Sequence, residues 1–99
     1  MQAVQTKPAS QQVVSQVVAL LRQSGSAHHQ AFIEVNGEDA EWPLWYAEYL
    51  LQPLKSLLQA EFTKSELVYL LVKAEKERFP GTDWPLFYTE VFLNYFGIK

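Results

Sequence analysis

The segment Glu41–Gln52, EWPLWYAEYLLQ, is nearly restated further along the chain by Asp83–Asn94, DWPLFYTEVFLN. In both copies an acidic residue precedes Trp-Pro. A carboxylate suits the positive end of a helix dipole, and a first-turn proline gives up no intrahelical hydrogen bond, so each copy reads as a helix start. Behind the first Trp-Pro, Glu41, Glu48, Gln52, Lys55 and Gln59 fall on one helical stripe, which predicts a helix persisting to about Gln59. Pro53 is expected to bend or break that helix, because the carbonyl of Tyr49 loses its donor there.

The rest of the chain supplies partners for these two helices. Ser10 is placed to cap a helix with Val13, Val14, Val17, Val18, Leu20 and Leu21 on its apolar stripe, ending near Ser24 and Gly25. A short second helix is predicted from Ser26, closed by Asn36 and Gly37, both suited to the left-handed conformation that ends helices. The same letters admit a hairpin, AFIEV and EDAEW around Asn36-Gly37, but the second arm runs into Trp-Pro and alternates poorly. Thr63-Lys-Ser-Glu66 is a capping box opening a helix that Pro80-Gly81 closes. The last helix is predicted from Asp83, read as its cap, to Gly97.

Aligning Trp42 with Trp84 also pairs Pro43 with Pro85, Tyr46 with Tyr88, Glu48 with Glu90 and Leu51 with Leu93. Each copy follows an apolar helix. The chain therefore reads as two helix pairs related by an internal pseudo-repeat, about 10–60 and 63–97, the first with about 11 inserted residues. The expected fold is all-α: one small antiparallel bundle with a short extra helix and a flexible segment at 1–8. Aromatic residues at 42, 45, 46 and 49 and at 84, 87, 88 and 92 are expected to meet across its centre as core packing.

Composition narrows the function. Ninety-nine residues fit one domain, and 48% hydrophobic content supports a folded core. The absence of cysteine removes disulfides, thiolate nucleophiles and Cys-rich zinc sites. A net charge of −3, with Glu34, Glu38, Asp39, Glu41 and Glu48 in a stretch holding no cation, disfavours nucleic acid. No apolar run suits a membrane span or a signal peptide, so a soluble cytoplasmic protein is expected.

Few residues carry chemistry. His28 and His29 precede acidic Glu34, Glu38 and Asp39, but adjacent histidines point about 100° apart on a helix, and no HExxH or ExxH pattern occurs. No metal or other cofactor is expected; the favoured reading is one histidine hydrogen-bonded near the Trp-Pro turn. Glu48 and Glu90, the repeated carboxylates, lie on the polar stripe and read as solvated surface. Lys73, Lys76 and Arg78 alternate with Glu75 and Glu77 and read as a solvated helix face. No nucleophile elbow, phosphate loop or dinucleotide fingerprint is present.

Ala27-His28-His29 followed by Trp42-Pro43-Leu44-Trp45-Tyr46-Ala47-Glu48-Tyr49 resembles a short helical segment of small uncharacterised bacterial proteins, with the pattern A-H-[HG] … W-P-x-W-Y-A-x-Y. That segment sometimes stands beside glyoxalase-like domains. The resemblance implies no activity, but it marks His28, Trp42, Trp45, Tyr46 and Tyr49. The polar residue usual after Trp-Pro is Leu44 here.

Two functions follow as expectations. The first is a non-enzymatic interaction module that binds a protein partner, or itself as a homodimer, through the aromatic surface near Trp42 and the apolar last helix at Tyr95 and Phe96. The alternative is a small-molecule binding or catalytic domain with a pocket lined by His28, Trp42, Trp45, Tyr46 and Glu48, to which His29 and Tyr49 are further candidate contributors.

Overall fold

The structure, a computed structural model, describes residues 11–98. The expected cap at Ser10 and the flexible segment 1–8 lie outside those residues. The described chain is an antiparallel bundle of four helices: α1 (Gln11–Ala31), α2 (Trp42–Leu58), α3 (Lys64–Glu77) and α4 (Trp84–Tyr95). A 3-10 turn, Ile33–Val35, precedes α2, and there is no strand among the described residues. Each helix packs on its neighbours in chain order, and α4 closes the ring against α1. None of these helices is long and apolar enough to cross a membrane.

The core is mostly leucine. Val17 and Leu21 of α1, Leu50 and Leu54 of α2, Leu70 and Leu71 of α3 and Phe92 of α4 are all fully buried. Glu48, Gln52 and Gln59 of the polar stripe are exposed, as their helical phase requires. The capping box is formed in full: Glu66 N–H donates to Thr63 Oγ1 at 3.0 Å, and Thr63 N–H donates to Glu66 Oε1 at 2.9 Å.

Four sequence expectations need correction. First, α1 does not stop at Gly25; it continues to Ala31, so the predicted short helix from Ser26 is its last part. A Cβ at position 25 would stand 3.0 Å from Trp84 Cζ2, so the glycine admits the indole of α4 against α1 rather than ending the helix. Asn36 and Gly37, with φ of 62° and 85°, close the 3-10 turn that follows α1, at the end the sequence marks.

Second, α2 runs through Pro53 unbroken to Leu58. Leu50, Leu54 and Leu58 lie one turn apart on its buried face, and their burial offsets the missing hydrogen bond, so the proline does not end the helix. Third, neither Glu41 nor Asp83 caps its helix with its side chain. Arg22 takes the Asp83 carboxylate instead, at 2.7 and 3.2 Å, tying α1 to the start of α4. Fourth, most of the aromatics do not meet at the centre. Trp42, Trp45, Tyr46, Tyr49, Trp84 and Phe87 are only half-buried, Tyr88 and Phe92 being the buried exceptions. The Trp-Pro turns put the first residues of each set at one end of the bundle rather than in its middle.

Candidate functional site

In an antiparallel bundle the last turns of α1 and α3 and the first turns of α2 and α4 share an end. His28, Trp42 and Tyr46 come to that end from the first helix pair, and Glu75, Arg78, Trp84 and Tyr88 from the second. Together with Gly37 and Asp39 of the connecting loop they line a cleft of about 350 Å³.

The loop half is organised by Asp39. After the left-handed Asn36 and Gly37, the Gly37 N–H donates to Phe32 O at 2.8 Å and the chain doubles back towards α1. Asp39 Oδ2 then accepts from His28 Nε2 at 3.0 Å, while Oδ1 accepts from Glu41 N–H at 3.0 Å. One carboxylate thus holds an imidazole and satisfies a backbone donor beside the start of α2. The His28–Asp39 pair is nearly removed from water, with side chains 9% and 10% exposed. Aromatic rings enclose the imidazole: Tyr46 stacks on it at 4.9 Å, Trp45 meets it edge-on at 5.0 Å, and Phe32 lies at 4.7 Å.

Glu75 organises the other half. Its carboxylate accepts from Tyr88 Oη at 2.7 Å and from Arg78 Nε and Nη2 at 3.1 and 3.0 Å. Arg78 Nη1 also donates to Thr82 O at 3.3 Å, fixing the loop before α4. The hydrogen bond from Arg78 holds Glu75 below the usual carboxylate range. Burial, reinforced by the bond to Glu75, pushes the Tyr88 phenol well above its ordinary range. Burial also raises the Tyr46 phenol, with the nearby Asp39 charge acting in the same sense. Both phenols are therefore neutral donors at ordinary pH.

The Tyr46 hydroxyl has no hydrogen-bond partner among the described residues, in contrast to that of Tyr88. Rings of the two halves continue one another: Trp42 to Tyr46 at 6.0 Å, Tyr46 to Trp84 at 6.2 Å and Trp84 to Tyr88 at 5.1 Å, each pair T-shaped. Tyr46 and Trp84 also border a second, more open hollow with Arg22, Gly25, Ser26 and Pro85.

Among the candidates read from sequence, His28, Trp42 and Tyr46 are brought together at the cleft. Trp45 lies behind His28 and stacks on Tyr49 at 5.4 Å, and neither lines the cleft. His29 is exposed. Glu48 points elsewhere, bound by Lys64 at 2.6 Å, and Glu90 is exposed. Phe96 packs within the bundle on Phe62 at 4.7 Å, whereas Tyr95 is exposed and donates to Glu66 at 3.3 Å. No group of three or more potential metal ligands occurs among the described residues.

Sequence reasoning passed over Glu75 and Arg78, which look like two members of a charged helix face. It placed Trp84 and Tyr88 in the core; Tyr88 is buried there and also lines the cleft, whereas Trp84 is half-buried. The alignment of Trp42 and Tyr46 with Trp84 and Tyr88 held the missing signal, since matched positions in two antiparallel pairs share an end of the bundle. Comparison with known proteins gives no matching family model, and neither the curated proteins nor the solved structures yield a significant match.

Proposed function

We propose that this chain is a small-molecule binding domain whose site is the cleft between its two helix pairs. The observation that carries this reading is the convergence of His28, Asp39, Tyr46, Glu75, Arg78 and Tyr88 with two tryptophans around a single hollow. Its volume, about 350 Å³, falls in the range of ligand sites. Polar groups held by neighbours and beside aromatic walls are the ordinary means of orienting a small ligand. A metabolite screen by thermal unfolding tests the proposal. A specific ligand at about a hundred times its dissociation constant adds about 2.7 kcal/mol and raises Tm by roughly 10–20 °C. Absence of any ligand-dependent shift, together with a crystal structure in which side chains fill the cleft, would reject it.

A second reading, a protein-interaction module acting on a partner or on itself, is supported by the outer face of α3 and α4. Tyr69 and Tyr95 are 56% and 45% exposed there, with ring centres 6.4 Å apart. Sedimentation equilibrium over a wide concentration range tests the homodimer form. A dimer that Tyr95→Glu dissociates would support it, and a strict monomer would count against it.

A further inference from the structure

The walls of the cleft carry more information than its size. Trp42, Tyr46, Trp84 and Tyr88 all line it. Their successive planes are turned by 78°, 78° and 72°. No successive pair among these four rings is parallel, so none admits a flat ligand between two facing planes. A compact, rounded group fits such walls better than a planar one.

The charges around the rings select the sign of that group. Asp39 and Glu75 bring two carboxylates to the lining. The only cation opposing them, Arg78, is already bound through Nε and Nη2 to Glu75 and through Nη1 to Thr82 O. The lining carboxylates, Asp39 and Glu75, outnumber its one guanidinium, Arg78. An anionic ligand reaching Arg78 would compete with Glu75 for the guanidinium and would meet that carboxylate. Aromatic faces attract cations through their quadrupole, most strongly when the cation sheds its water easily, as a methylated ammonium does.

Resting on the small-molecule reading above, we infer that the cleft is an aromatic cage for the methylated ammonium head of a small organic cation. Trp42, Tyr46, Trp84 and Tyr88 supply the walls, and Asp39 and Glu75 supply the compensating charge. The unpartnered Tyr46 hydroxyl is available to a polar substituent carried by the same ligand.

Calorimetric titration of the full chain with choline, beside its neutral isostere 3,3-dimethylbutan-1-ol and inorganic phosphate, isolates the charge. Choline is expected to bind at least about tenfold more tightly than the isostere, a difference within the reach of cation–π attraction. Trp84→Leu should remove most of that preference. Asp39→Asn, which keeps the size of the side chain, should cut the preference for choline over the isostere several-fold, and circular dichroism will show whether each variant is folded. Equal binding of choline and isostere, or binding of phosphate alone, would overturn the cation assignment while leaving a ligand-binding cleft in place. No binding of any of the three would also overturn it, and only a metabolite screen that likewise finds nothing would take the small-molecule reading with it. A peptide bearing trimethyl-lysine that binds far more tightly than free trimethyl-lysine would place the cation on a protein and overturn the small-molecule source.

Discussion

Asp39 shows how much one side chain can hold at an otherwise irregular loop. Its two oxygens serve two donors, His28 Nε2 and Glu41 N–H, at 3.0 Å each. Asp39→Ala leaves a nearly buried imidazole and a backbone donor unsatisfied, so chemical denaturation should show a loss of about 1–3 kcal/mol. Gly25 is a second residue whose role depends on a distant neighbour. Glycine inside a helix costs about 0.5–1 kcal/mol relative to alanine, so local propensity alone argues against it. It stands there because Trp84 Cζ2 would lie 3.0 Å from any Cβ. Gly25→Val is therefore expected to destabilise by about 1–3 kcal/mol through overpacking, read as a lower denaturation midpoint. Nothing next to Gly25 in sequence announces this contact, which is why a local reading takes it for a helix end.

The elements differ in how openly the sequence declares them. The start of α3 is local chemistry, Thr63 and Glu66 three residues apart, and it was legible in full. Thr63→Ala should cost about 1 kcal/mol, measurable by thermal or denaturant unfolding. The starts of α2 and α4 were legible as Trp-Pro turns, but their acidic caps were not as expected, because Arg22 and the Asp39 loop take over through the tertiary fold. The junction of α3 with α4 also has a pH signature. Glu75 is held below its ordinary value of 4.5, chiefly by the hydrogen bond from Arg78. A depressed carboxylate contributes stability that is present above the unfolded value and lost as pH falls through the folded one. Tyr88 is raised above its ordinary value of 10.0 by burial and by Glu75, so its contribution is present below that value and lost as pH rises beyond it. Melting curves across pH should fall at both extremes. Glu75→Gln should flatten the acid limb and Tyr88→Phe the alkaline one; unchanged limbs in both variants would mean that other groups set them.

On the scale of the whole molecule, the core and the cleft are distinct regions drawn from the same aromatic-rich helices. Phe92 is fully buried, and Phe92→Ala should cost about 3–5 kcal/mol. Trp42 and Trp84 are half-buried around the cleft, so their replacement by alanine should cost less than that of Phe92, although tryptophan is larger. The bundle was legible because apolar periodicity, capping and the Trp-Pro turns act within a few residues. The cleft was only half legible: His28, Trp42 and Tyr46 stand out by residue type, whereas Glu75 and Arg78 acquire their place only when α3 meets α4. The most direct test of a ligand cleft at this end uses the chain's three tryptophans, which give separate indole N–H signals in a heteronuclear NMR spectrum. On adding a ligand found by screening, the Trp42 and Trp84 signals should move together while Trp45, behind His28, moves much less. Movement confined to Trp45, or no movement of any indole signal at saturation, would contradict a site in the cleft.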